Sequence, residues 1–362
     1  VSPDSNPAPE GQHPTITLSF AQKSLLAAIL TILTLLAIFL VAEGFLRWQA
    51  NRAGQSNLSV QWVYDNGFYY HPPRTRFTMP NEKGDMVEIQ IDDWGLRNSR
   101  HFSDRKKILV LGDSYIEADN TPEDQTFTAA LAARLHDRHP GWTVVNGGLN
   151  GYSNYESYLL LKHLAKTGLK PDAVILGVCL ANDLHDNFFS FGRGIPAAPS
   201  GSAAPGLIDR AAGGLKRLLK KSHLVLYVHG YLKTAREPYY YYYLFEVESY
   251  RTTPEPYVLE AVSRTRQTLR LLKEFCDGEG IKLGVLLIPP KSQVYEEFLL
   301  SVSSSFRPEY IQRCMDIIRG GYSFDRPAEY FRDVCLSMQI PLFDLLPLYR
   351  RHRAEKIFYK ID

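Results

Sequence analysis

The sequence predicts an α/β fold, a parallel sheet covered on both faces by helices, preceded by one transmembrane helix and a small β-rich lead-in. Three observations carry that expectation. Nineteen residues without a charge lie between Lys23 and Glu43. From Lys107 onward, short apolar strands alternate with stretches of helical periodicity, which is the signature of βαβ units. The first of those strands runs directly into Gly112, Asp113 and Ser114.

Composition bounds the alternatives. With 362 residues, 45% hydrophobic and 22% charged, the chain has the makeup of one large domain with insertions or of two domains. Lys plus Arg number 41 against 39 Asp plus Glu, a formal charge of +2, so no nucleic-acid footprint is visible. The four cysteines, Cys179, Cys276, Cys314 and Cys335, are scattered and form no CxxC pair, which argues against a disulfide framework, a zinc site or any other metal or redox cofactor.

Taken in order, residues 1–22 carry four prolines and no apolar periodicity and read as a disordered tail. The uncharged run would reach about 29 Å as a helix, the thickness of a hydrocarbon core. It exceeds the roughly 7–15 residues of a signal-peptide core and no A-x-A-like site follows, so 23–48 reads as a retained anchor in the lipid bilayer. Trp48 stands where an interfacial aromatic would sit. Residues 49–106 are turn-rich, and Met86 to Ile91 alternates apolar and polar residues as a half-buried strand does. The domain proper then spans 107–362. Its rhythm is a strand at ILVLG, a helix near Asp124 to His139, the strand TVVN, a helix near Asn154 to Thr167, and the strand AVILGV. An insertion of about 190–250 interrupts it, with a Pro- and Gly-rich opening, the basic stretch Lys216 to Lys221 and the run Tyr239 to Tyr243, and it reads as a partner or substrate surface rather than core. A helix from about Pro256 to Cys276, the strand KLGVLLIPP, helices between Ser292 and Gln339 and the strand PLFDL complete the pattern.

Chemistry concentrates at the strand ends. A serine that opens the helix after a parallel strand points its hydroxyl into the crevice where open α/β sheets bind ligands, and the helix start can stabilise an oxyanion. Asp113 and Ser114 could equally be an N-cap pair. Two later segments favour the nucleophile. VNGGLNGY, over Val145 to Tyr152, follows the next strand and puts Gly151 where a backbone N–H can approach a substrate; LAND, over Leu180 to Asp183, puts the Asn182 amide on the same rim. One attacking oxygen with two or three convergent donors is what a tetrahedral acyl intermediate needs.

On these blocks the chain resembles the SGNH, or GDSL, hydrolase family, with GDSY matching at Ser114, VNGGLNGY at Gly151 and AND at Asn182. IDDWGLRN before GDSY and IPPKSQVYEE later look like a membrane-anchored bacterial branch of it, related to glycan O-acetyl esterases and acetyltransferases. The resemblance implies a flavodoxin-like three-layer sandwich and ester hydrolysis or acyl transfer without a cofactor. It implies Ser114 as nucleophile, Gly151 and Asn182 as oxyanion donors, and Asp362 as the partner of a catalytic His two or three residues on. The sequence stops at Asp362, and all ten His lie at or before His352. Either the chain continues into that His, which the lead-in IFYKID favours, or the triad is incomplete.

The other histidines have plainer roles. His185 could approach the rim but reads as a surface-loop residue. His136 and His139 complement a helix terminus. His71 and His101 lie in the lead-in, outside any Asp-x-His arrangement. Asp183 reads as a turn residue and Asp344 as a strand-end cap. The expected protein is a single-pass inner-membrane protein with a periplasmic domain acting on an O-acyl ester. The rival expectation is a catalytically silent SGNH-fold accessory subunit of a membrane protein complex.

Overall fold

A computed structural model describes residues 19–52, 62–65, 67–81, 83–99, 105–191, 240–295 and 308–355. Helix α1 spans Phe20–Arg52. It starts inside the stretch read as tail because Ser19 and Gln22 cap reciprocally: the Ser19 N–H donates to Gln22 Oε1 at 2.9 Å and the Gln22 N–H to Ser19 Oγ at 3.3 Å. Over Phe20–Trp48 it is long and apolar enough to cross a membrane, with a mean hydropathy of 2.9 in its most apolar window. The hydroxyls of Thr31 and Thr34 donate to the carbonyls of Ala27 and Leu30, so neither is left as an unsatisfied donor on the apolar helix.

The lead-in is two antiparallel hairpins. β1 (Val63–Asp65) pairs with β2 (Phe68–Tyr70), and β3 (Arg76–Pro80) with β4 (Met86–Gln90). In β4 the expected alternation holds: Val87 and Ile89 point inward while Met86 and Glu88 face solvent.

Five strands form the main sheet: β5 (Lys106–Gly112), β6 (Trp142–Gly148), β7 (Ala173–Cys179), β8 (Lys282–Ile288) and β9 (Leu342–Asp344). All are parallel and their order is β6-β5-β7-β8-β9. The period of two sends alternate residues to opposite faces. Leu109, Leu111, Val145, Leu176 and Val285 pack against helices α4 (Asn154–Lys166) and α7 (Pro256–Glu279) through Leu160, Leu164, Leu269 and Leu272. Val110, Val144, Leu286 and Ile288 face the other way, onto Ile116 of α2 (Ser114–Glu117) and Leu131 and Leu135 of α3 (Phe127–Arg138). The sheet is thus covered on both sides, as the near-continuous apolar strands require. This is the α/β sandwich expected, with the strand order of flavodoxin-like sheets.

Two expectations about later segments change. Most of the insertion, with Lys216 to Lys221, lies outside the described residues. Its end, helix α6 (Tyr240–Ser249), is core rather than surface, because Phe245, Val247 and Tyr250 are buried and Phe245 joins the main cluster. Each of its buried acids takes one partner from nearby and one from far along the chain. Glu246 accepts from Tyr250 and Ser292, and Glu248 from Arg251 and Arg313. The second change concerns His185, which lies in helix α5 (Asp183–Ser190) and is buried rather than on an exposed loop.

Candidate active site

The order β6-β5-β7 puts a topological switch point between β5 and β7, and the crevice at their carboxyl ends is where such sheets take ligands. Ser114 opens α2 at the end of β5. Asp113 is its N-cap, with Oδ1 accepting from the Tyr115 N–H at 3.0 Å. The two readings of Asp-Ser are therefore compatible, since Asp113 caps while Ser114 stands beside it half-buried. Neither the Ser114 N–H nor its hydroxyl forms a hydrogen bond among the described residues. Helix α2 is a single turn, too short for the dipole contribution expected from the sequence. What it offers is the unpaired Ser114 N–H. The turn can lie against the end of β6 because Gly148 has no side chain, and a Cβ there would overlap the Glu117 nitrogen.

Gly151 sits in the loop after β6 with φ +78°, exposed, in the left-handed region that glycine adopts without strain. The turn is closed by the Tyr152 N–H donating to the Leu149 carbonyl at 3.1 Å. Ser153 and Glu156 then form a capping box that starts α4. The Asn150 N–H donates to Glu117 Oε2 at 2.5 Å, and the Asn150 carbonyl accepts from the Tyr69 hydroxyl at 2.6 Å.

Asn182 caps the start of α5 at the end of β7. Its Nδ2 donates to Asp113 Oδ2 at 3.1 Å and to Asp186 Oδ2 at 2.9 Å, which ties the third strand end to the residue preceding Ser114. Among the described residues the Asn182 Oδ1 has no hydrogen-bond partner. Asp183, read as a turn residue, is buried and accepts from the Cys179 N–H at 2.6 Å. Burial drives the Asp113 carboxyl up to about 6, opposed by the Asn182 and Tyr115 hydrogen bonds and reinforced by the Asp186 charge. Asp183 is pushed well above the carboxylate range, first by burial and then by Asp113 and Asp186. His185 Nδ1 pairs with Asp186 Oδ1 at 3.0 Å, and the ring lies against Phe189 and Phe245. Of the sequence-predicted residues, Ser114, Asp113, Gly151 and Asn182 stand at three adjacent strand ends, and His185 is linked to Asn182 through Asp186. Asp362 and His101 fall outside the described residues.

Sequence reasoning missed the scaffold of this rim. Arg97, 1% exposed, donates through Nη1 to the carbonyls of Glu117 (2.7 Å) and Ala118 and through Nη2 to Thr121 (2.5 Å). Asn98 and Asn146 exchange hydrogen bonds: the Asn146 N–H donates to Asn98 Oδ1 at 3.0 Å, and Asn98 Nδ2 to the Asn146 carbonyl at 3.1 Å. His71 pairs through Nε2 with Glu117 Oε1 at 2.6 Å and stacks on Trp62 at 4.3 Å. The signal that could have found Arg97 and Asn98 was the polar group Asp92, Arg97 and Asn98 soon after the alternating strand Met86 to Ile91. Among the described residues no group of three His, Cys, Asp or Glu is disposed to hold a metal ion.

No family model and no curated protein matches the chain. Solved structures similar to it include AlinE4, an SGNH-hydrolase family esterase, at 14% identity, covering 72% of this chain and 87% of that one with a TM-score of 0.34. TesA is similar at 15% identity, covering 71% and 85%, TM-score 0.34. The acetyl xylan esterase AlAXEase is similar at 11% identity, covering 69% and 82%, TM-score 0.35.

Proposed function

We propose that this chain is an SGNH-type serine acyl-ester hydrolase or acyltransferase, anchored by α1 in the cytoplasmic membrane, with its domain on the extracytoplasmic side. Its substrate would be an O-acylated glycan or a small ester. The observation that carries the reading is the convergence of Ser114, Gly151 and Asn182 at the carboxyl ends of β5, β6 and β7, with Asn182 hydrogen-bonded to the neighbour of Ser114.

The chemistry follows from these groups. Ser114 Oγ attacks the acyl carbonyl and passes its proton to a His oriented by Asp362. The developing oxyanion takes N–H donors from Ser114, Gly151 and Asn182. Collapse expels the alcohol with a proton returned by the His and leaves an acyl-serine. Water then gives hydrolysis, or a second alcohol gives transfer. No cofactor enters this sequence.

A second reading, an accessory subunit of a membrane complex with a silent SGNH fold, draws on one observation. The Asn182 amide is committed to two carboxylates, Asp113 and Asp186, rather than to the open rim. A fluorophosphonate probe separates the two, because a serine hydroxyl reacts only when a positioned base removes its proton. On the hydrolase reading Ser114 is labelled, and Ser114→Ala abolishes both labelling and turnover of a short-chain ester. Asn182→Ala then lowers kcat by about 10²–10³, the usual loss of one oxyanion donor. A protein that is neither labelled nor active, yet co-purifies with membrane partners, supports the accessory reading.

A further inference from the structure

We propose that Tyr69 and Glu117 are positioning residues that fix the peptide planes around Asn150 and so aim the Gly151 N–H at the oxyanion. The inference rests on the reading of Ser114 as nucleophile. It adds the lead-in hairpin and the far end of α2 to the apparatus that sets the donor.

The argument starts from the peptide unit. The Asn150 carbonyl and the Gly151 N–H belong to one planar trans peptide, so they point in opposite directions. A bond that fixes the carbonyl therefore fixes the N–H. The Tyr69 hydroxyl supplies that bond at 2.6 Å, drawing the carbonyl toward the β1–β2 hairpin and turning the Gly151 N–H away from it. The preceding peptide is held as well, since the Asn150 N–H donates to Glu117 Oε2 at 2.5 Å. Asn150 and Gly151 are both exposed, where a glycine-containing turn would otherwise sample several orientations. Two consecutive planes are instead pinned by side chains from two different elements.

Both pins are themselves held. Glu117 is buried, and its other oxygen is engaged by His71 Nε2 at 2.6 Å. It closes the same helical turn that Ser114 opens, so nucleophile and donor loop are tied to one short rigid piece. The Tyr69 ring packs edge-on against Trp62 at 4.8 Å and Tyr152 at 5.1 Å, and the Tyr152 hydroxyl donates to the Tyr69 carbonyl. Space is closed too: a Cβ on Gly151 would stand 2.9 Å from the Tyr69 hydroxyl.

Tyr69→Phe is the decisive variant because it removes one hydroxyl and keeps the ring. Measured on the full chain in detergent with p-nitrophenyl acetate, it is expected to lower kcat about tenfold, a fraction of the 10²–10³ for losing a donor outright. KM should stay within about twofold, because the donor acts on charge that develops after binding. Hydrogen exchange over residues 149–153 should quicken while the melting temperature holds. Glu117→Ala should give the same split, and Glu117→Gln, which keeps an acceptor for the Asn150 N–H, should recover most of the rate. Unchanged exchange in Tyr69→Phe, unchanged kcat, or a loss confined to KM overturns the proposal. A parent protein that neither turns over ester nor labels at Ser114 overturns the hydrolase reading and, with it, the claim that the two residues position an oxyanion donor. The exchange arm then still reports whether they hold the loop.

Discussion

Replacing Arg97 by methionine tests how the lead-in supports the rim. The guanidinium is 1% exposed and spans three carbonyls, of Glu117, Ala118 and Thr121, on the chain directly after Ser114. A hydrogen bond from a charged donor contributes about 1.5–3 kcal/mol, so three give roughly 5–9 kcal/mol gross. Against this stands the cost of burying the cation, the same burial that lowers the Arg97 pKa against the charges of Glu117, Glu123 and Asp119. Breaking a buried charged network by removing one partner typically costs about 3–5 kcal/mol net, and that is the expected loss. At about 2–4 °C per kcal/mol for a domain of this size, the melting temperature should fall by roughly 6–20 °C. Arg97→Lys should fall between parent and Arg97→Met, because one ammonium cannot span all three acceptors. Thermal and urea unfolding of the detergent-solubilised chain, followed by near-UV circular dichroism, give the numbers. A loss below about 1 kcal/mol, the level of an ordinary surface substitution, would refute the claim that the guanidinium is what satisfies this loop.

The pH dependence of stability has a defined sign. Asp113 and Asp92 both titrate near 6 in the folded chain because burial raises them, so their contribution is fully present below about 4 and is lost as pH rises through 6. Asp113→Asn should therefore gain on the parent across that window in melts at fixed ionic strength, and a constant offset from pH 4 to 7 would contradict it. Gly148→Ala should destabilise by about 3 kcal/mol, the top of the overpacking range, because the new methyl meets backbone of α2 rather than a movable side chain. Phe245→Ala should cost about 3–5 kcal/mol as a buried aromatic truncation, a result that an insertion lying wholly on the surface would not give. Protease added to intact spheroplasts should digest the domain; digestion only in inverted vesicles would reverse the proposed orientation.

The elements that local rules govern were legible in the sequence. Strands β5 to β8 announce themselves as apolar runs, and α4 by its helical periodicity, because both signals sit within a few residues of one another. The strand-end positions of Ser114, Gly151 and Asn182 follow once those strands are placed. What stayed hidden depends on distant partners. His71 meets Glu117 across 46 residues, Arg97 meets Thr121 across 24, and Asn187 joins Asn154 and Thr265 across 33 and 78. No periodicity encodes such pairings. Burial of His185 was missed for the same reason, since Phe245 arrives from the far end of the insertion.

The hydrogen bond from Tyr69 to Asn150 joins residues 81 positions apart, and the one from Tyr152 back to Tyr69 spans 83. Chain growth at about 5–20 residues per second leaves the hairpin without those partners for roughly 4–16 s. During that interval helix α1 and the hairpin already exist, while His71 waits for Glu117 and Tyr69 for β6 and its loop to be made. The loop can be set only after a long closure whose entropy must be met first, which places it among the later steps of folding. Maturation of the rim is thereby coupled to completion of the sheet, so a nascent chain would hold helix α1 well before it holds the assembled strand ends around Ser114.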